Sequence, residues 1–163
     1  MIIKMKITLI VVGKIKERYF TDAVKEYVKR LSRYCRLEIV ELEDEKTPDQ
    51  ASAAEEKKIK EKEGERILKA IREGSYTIAL AIEGKKMTSE QFAKKIETLG
   101  IQGKSHINFV IGGSLGLDEH VLKKAEESIS FSDMTFPHQL MRVILLEQIY
   151  RGYRIIQNEP YHK

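Results

Sequence analysis

The chain lacks tryptophan and carries one cysteine, three prolines and ten glycines in 163 residues. A lone Cys35 excludes a disulfide framework and any zinc site built on cysteine, and it suits a reducing, cytoplasmic setting. No apolar run approaches the ~20 residues of a membrane-spanning helix. The longest near the start, Ile7 to Val12, has the length of a strand, and no small-residue cleavage site precedes Lys14 and Lys16, so neither secretion nor a membrane partner is expected. The four histidines, at 106, 120, 138 and 162, show no ligand spacing, and H-E-x-x-H and G-x-S-x-G are both missing. A metal site and a serine-hydrolase elbow are therefore not expected. What is present, 42% hydrophobic and 33% charged residues, describes one ordinary domain over 1–163. A chain of this length removes roughly 70% of its unfolded surface from water, enough to stand without cross-links.

Charge is unevenly placed. The net charge is +4, yet Met1 to Arg36 holds ten Lys or Arg against three acids, and Leu37 to Gln50 holds six acids against one Lys. The first third thus offers either a phosphate-attracting surface or a solvated helix face.

Hydrophobic periodicity alternates between short β-branched or aromatic runs and amphipathic stretches. Strands are expected at Lys6–Val12, Leu37–Leu42, Tyr76–Ile82, Ile107–Ile111 and Ser128–Phe131. Helices are expected at Arg18–Leu31, Glu55–Arg72, Ser89–Leu99, Asp118–Glu126 and His138–Gln157, with capping signals at Thr88 or Ser89 and at Asp118. Five successive βα units predict an α/β fold with a mostly parallel sheet and helices on both faces.

In such sheets ligands lie outside the carboxyl ends of the strands. That rule selects Gly13–Glu17, Leu80–Lys86, Gly112–Gly116 and Ser132–Pro137. The glycines at 112, 113 and 116 allow either close backbone approach to a ligand or simple turn chemistry. Neither a G-x-G-x-x-G nor a P-loop spacing is present. His106 and His120 read as edge or surface residues, and His138, after Pro137, as a helix-start residue. The terminal Glu159–Lys163 segment packs an aromatic, an imidazole and a cation together, although composition alone predicts fraying there. From Leu140 to Ile156 apolar residues surround the last helix, which predicts a homodimer seam or a well-covered core helix.

The series Leu80-Ala-Ile-Glu-Gly-Lys85, Phe109-Val-Ile-Gly-Gly-Ser-Leu-Gly116, Ser130-Phe-Ser-Asp-Met-Thr-Phe-Pro-His138, Arg142 to Glu147 and Pro160-Tyr-His-Lys163 closely resembles the ribosomal RNA large subunit methyltransferase H family. This is a minimal branch of the SPOUT, or α/β-knot, methyltransferases, and the resemblance runs from Met5 to Lys163. It implies a C-terminal trefoil knot, an exception to unknotted topology, and a homodimer built around the last helix. It implies S-adenosylmethionine (S-adenosyl-L-methionine) as cofactor, contacted at Leu80, Gly112, Phe131, Ser132, Asp133, Met134, Thr135 and Phe136. The implied substrate is a pseudouridine of 23S rRNA in the assembled ribosome, methylated at N(3).

Methyl transfer to a ring nitrogen needs alignment and proton removal. His162 is the candidate base, Tyr161 a candidate stacking surface, and Arg142 and Lys163 candidate donors toward the ring carbonyls. Lys14, Lys16 and Arg18 are the candidate RNA contacts. Two other readings compete: a non-catalytic ribosome-associated RNA-binding factor, which the intact glycine turn argues against, and a knotted methyltransferase acting on transfer RNA. The short chain, without an appended RNA-binding domain, argues against the latter.

Overall fold

A computed structural model describes residues 4–162. In chain order the elements are β1 (Met5–Val12), α1 (Arg18–Leu31), β2 (Cys35–Leu42), α2 (Ala53–Ala70), β3 (Tyr76–Lys86), α3 (Ser89–Ile101), β4 (His106–Ile111), α4 (Glu119–Lys124), β5 (Glu127–Ser130) and α5 (His138–Ile156). The five strands form one parallel sheet in the order β2-β1-β4-β3-β5.

The unbroken apolar run of β1 follows from burial on both faces. Ile7, Leu9 and Val11 point into a cluster with α1, α3 and α5, while Ile10 and Val12 point into a second one with Ile67 of α2 and Val121 of α4. Helix α5 packs across both α1 and α3, fully burying Leu145, Leu146 and Ile149. Each such side chain contributes about 1.5–3 kcal/mol relative to exposure. Gly152 lets the α3 backbone come close, since a Cβ there would lie 3.6 Å from Ala93 Cα. Leu140, Val143, Ile144 and Ile155 keep partial exposure on the outer side of α5. No helix among the described residues is long and apolar enough to cross a membrane.

Local signals set the helix starts. Ser52 with Glu55 and Thr88 with Gln91 form capping boxes that open α2 and α3, and Asp118 caps α4 by accepting from His120 N at 3.3 Å. The Ser52 box starts α2 at Ala53, ahead of the expected Glu55, and α4 stops at Lys124, short of the expected Glu126.

The larger departure is in β3. It runs on to Lys86, past the expected end at Ile82, because the strand leaves the ladder and rejoins it: Leu80 and Lys85 both stand opposite Ile129 of β5. Residues 81–84 form an excursion between those two pairings, the kind of irregularity that re-aims side chains beside a site. Gly84 makes the return possible. A Cβ there would lie 2.6 Å from the Ile129 carbonyl carbon, with no flexible side chain to yield.

Candidate active site at the carboxyl ends of the strands

The main cleft has a volume of about 700 Å³ and is walled by the β3 excursion, the turn after β4, and the segment between β5 and α5. Three of the four segments selected by the strand-end rule therefore converge. The fourth adjoins them, since a Cβ on Gly13 (φ +97°) would touch His138 Cε1 at 3.0 Å.

The glycine turn owes its shape to close packing. A Cβ on Gly112 would meet the Gly116 carbonyl carbon and oxygen at 2.8 Å, Gly116 has φ +88°, and Gly116 N donates to Gly113 O at 3.1 Å. Beneath it lies Glu63, 4% exposed, whose Oε1 would sit 3.0 Å from a Cβ on Gly113. Burial pushes the Glu63 carboxyl above its usual range, and the Glu45 N–H donated to it at 2.9 Å pulls the other way.

Opposite the turn, the Phe131 ring stacks edge-on against Phe92 and anchors the start of the 131–136 segment to the core. Ser130 Oγ donates to Ser132 O at 3.0 Å and Met134 N donates to Ser132 Oγ at 3.0 Å, which shapes the loop from within. Leu80, Gly112, Phe131, Ser132, Met134, Thr135 and Phe136 line the cleft. Asp133 turns outward instead, to an ion pair with Lys86. Met134, 73% exposed, and Ile82, 46% exposed, leave uncovered apolar surface.

The positive end of α5 closes one side. Pro137 and His138 line the cleft, and no side chain caps the helix start, so its first N–H groups are free for an anion. His138 Nδ1 is buried without a partner among the described residues. Burial and then the nearby Arg142 guanidinium hold this imidazole below its usual pKa, keeping it neutral near pH 7. A cleft of this size, largely apolar, with free backbone amides, an orphaned imidazole nitrogen and a glycine turn that a Cβ would close fits a nucleoside cofactor bearing an amino-acid end.

Arg142 stands elsewhere than expected. It is 1% exposed, donates from Nη1 to Glu41 at 2.6 Å and from Nη2 to the Gly13 carbonyl at 3.1 Å, and so positions the turn after β1. Both Nη atoms are engaged there, Nε is buried without a partner among the described residues, and Arg142 does not line the cleft. Arg142→Met is expected to destabilise the fold by about 2–3 kcal/mol by orphaning that carbonyl and losing a charge-assisted bond, a loss that urea denaturation would measure. The turn it supports presents Lys14, Lys16 and Arg18, all exposed, with Arg18 near Asp22 at 3.9 Å.

The tail does not fray. Tyr161 Oη donates to Glu147 at 2.5 Å, its ring packs edge-on against Tyr150, and the Arg151 guanidinium covers it at 4.7 Å. Burial, and then the Glu147 carboxylate, push the Tyr161 phenol upward, so it remains a donor. His162 is held by Arg151 Nη1 at 3.1 Å and Glu90 at 2.5 Å. Glu159 joins Arg33, Tyr34 and Arg154 and ties the tail's start to the α1–β2 turn and α5. Lys163 lies outside the described residues.

Glu90, Glu147 and Arg151 were not singled out from sequence. The available signal was the Glu147/Arg151 pair of opposite charge at helical spacing. Along α5 the anchors of the tail stand away from the His138 end of the cleft. Counting along α5 from His138, Glu147 and Arg151 lie roughly 14 and 20 Å away, at about 1.5 Å per residue.

Residues 5–162 match the family described as predicted SPOUT methyltransferases, and the chain belongs to that family. More narrowly, it is 66% identical over 159 residues to ribosomal RNA large subunit methyltransferase H of Bifidobacterium adolescentis, covering 98% of this chain and all of that protein. The proteins of the same name from Clostridium kluyveri and Clostridium acetobutylicum are 60% and 59% identical over the same span. In fold the chain is similar to a probable methylase family protein from Haemophilus influenzae, with TM-score 0.54 and 13% identity over all of this chain and 72% of that one.

Proposed function

We propose that the chain is an S-adenosylmethionine-dependent methyltransferase that modifies N(3) of a pseudouridine in 23S rRNA of the assembled ribosome, working in the cytoplasm as a homodimer. The observation that carries this reading is the end-to-end 66% identity to a large subunit rRNA methyltransferase, joined to a cleft of matching chemistry. The cofactor, when bound, supplies an electrophilic methyl group on a sulfonium.

The residues of this chain do the rest. Leu80, Phe131 and Phe136 give an adenine apolar walls, Gly112 and Ser132 offer backbone, and the start of α5 faces the carboxylate. Holding donor and acceptor in line contributes up to about 7–11 kcal/mol. Tyr161 and His162 of the tail handle the base and its proton.

Two observations support the homodimer: the tail's anchors on α5 stand away from the His138 end of the cleft, so that a tail from a second subunit could serve it, and the partly exposed Leu140, Val143 and Ile144 offer an apolar seam. The trefoil path belongs to the same reading: the 131–137 segment carries the chain from β5, at the sheet's edge, back to His138 beside Gly13.

Lys14, Lys16 and Arg18 serve the rRNA backbone. Neutralising all three is expected to weaken ribosome binding about tenfold or more at moderate salt and to flatten its salt dependence, with cofactor affinity unchanged. Filter binding across a salt series measures both. The function itself is tested by transfer of labelled methyl groups to intact ribosomes, separated subunits and free RNA. Label confined to the rRNA of intact ribosomes is the expected result, whereas label in transfer RNA alone would overturn the reading.

A further inference from the structure

The tail holds a hydrogen-bond donor and an acceptor that face each other. A guanidinium can only donate, so at the 3.1 Å contact with Arg151 Nη1 the His162 Nδ1 atom is the acceptor. The ring proton therefore sits on Nε2 and is donated to Glu90 Oε1 at 2.5 Å. Behind Arg151, Glu147 accepts from Nε at 3.0 Å and from Nη2 at 3.4 Å. Its own backbone N–H and the His162 ring hold the Glu90 carboxyl below its ordinary range, so it is a full carboxylate near pH 7. Two acids on two helices, Glu90 of α3 and Glu147 of α5, thus fix an N–H and a lone pair side by side. Both side chains remain reachable, Arg151 at 25% and His162 at 26% exposure.

We propose that Arg151 and His162 together read the imide edge of a uracil-type base, with Glu90 as the positioning residue that sets the imidazole tautomer. The inference rests on the function proposed above and names the groups that select its substrate. An imide presents a carbonyl oxygen next to a ring N–H. Arg151 Nη1 donates to the oxygen, and the ring N–H donates to His162 Nδ1, so one internal contact is exchanged for two. A cytosine-type ring carries a lone pair where the imide has its N–H, and it would oppose the lone pair of Nδ1.

The proton balance follows from the same arrangement. The ring proton passes to Nδ1, and the electron pair left on the ring nitrogen forms the new bond to the methyl carbon. A sulfonium cofactor would supply the methyl carbon and retain the released bonding pair on its sulfur, and the resulting imidazolium keeps its Nε2–H on the Glu90 carboxylate.

The test observes the His162 ring nitrogens by NMR in the full-length, isotope-labelled protein, titrated with the 5′-monophosphates of uridine, N(3)-methyluridine and cytidine. Expected are an Nε2–H tautomer in the free protein and an Nδ1 shift with the uridine nucleotide at concentrations at least about tenfold below those needed with the other two. Glu90→Ala should lower kcat for ribosome methylation about tenfold with KM unchanged, and Glu90→Asp should recover most of it. An Nδ1–H tautomer in the free protein, or equal responses to the three nucleotides, overturns the inference. Should the uridine response be selective while ribosomes receive no methyl group, the imide reading stands and the proposed function fails. Methylation without nucleotide discrimination sinks the imide reading alone.

Discussion

Replacing Gly112 by valine is expected to weaken binding of S-adenosylmethionine while the protein stays folded. A Cβ at this position would lie 2.8 Å from both the carbonyl carbon and oxygen of Gly116 and 3.0 Å from Leu117 Cδ2. Backbone on one side cannot move aside as a long side chain would, so the turn must open. Overpacking of this kind costs about 1–3 kcal/mol, and here the deformation falls on the wall of the cleft. If that cost falls wholly on binding, affinity should drop by about fivefold to a hundredfold, since each ~1.4 kcal/mol is tenfold. Titration calorimetry with the cofactor or its demethylated product measures the loss, and circular dichroism checks the fold. Unchanged affinity in a folded Gly112→Val protein would remove the glycine turn from the cofactor site.

Deleting Tyr161 to Lys163 should leave cofactor affinity nearly intact while methyl transfer to ribosomes falls by at least about a hundredfold, the usual scale of a lost general base. Tyr161 and His162 touch Glu147, Tyr150, Arg151 and Glu90, and none of these lines the cleft. Turnover close to that of the full chain would exclude the tail from the chemistry, and lost cofactor affinity would move it to the donor side. A heterodimer of one Gly112→Val subunit and one truncated subunit is expected to recover part of the activity, because one tail then meets one intact cleft across the seam. Complete inactivity of that pair, with both parents folded and dimeric, would favour a site built within one chain.

All ten elements were legible in the sequence, because local chemistry and period specify them. Ile7 to Val12 has the length and composition of a strand, and Thr88 or Ser89 marks the start of α3, which the structure caps with Thr88. The positions of the ligand loops were legible too, since a parallel βα alternation leaves a cleft only at the carboxyl edge. The β3 excursion was not, because leaving and rejoining the ladder opposite Ile129 depends on the partner strand and on Gly84 fitting against it.

The roles of single polar side chains divided in the same way. Arg142 and His162 were picked out by type and by resemblance, but a side chain's role depends on what surrounds it. The Nη atoms of Arg142 are engaged by Glu41 and Gly13, more than a hundred residues earlier in the chain, and His162 is oriented by Glu90, far upstream on another helix. By itself the sequence determined the fold class, the strand-end loops and the glycine turn, since these follow from propensity, period and composition within short windows, whereas the tail stood out only by resemblance. Only the tertiary structure decided that the tail is clamped, and that one imidazole nitrogen of His162 faces Arg151 while the other faces Glu90. Those properties arise from contacts between distant segments, where a hydrogen bond of about 3 Å is set by packing and by no local pattern.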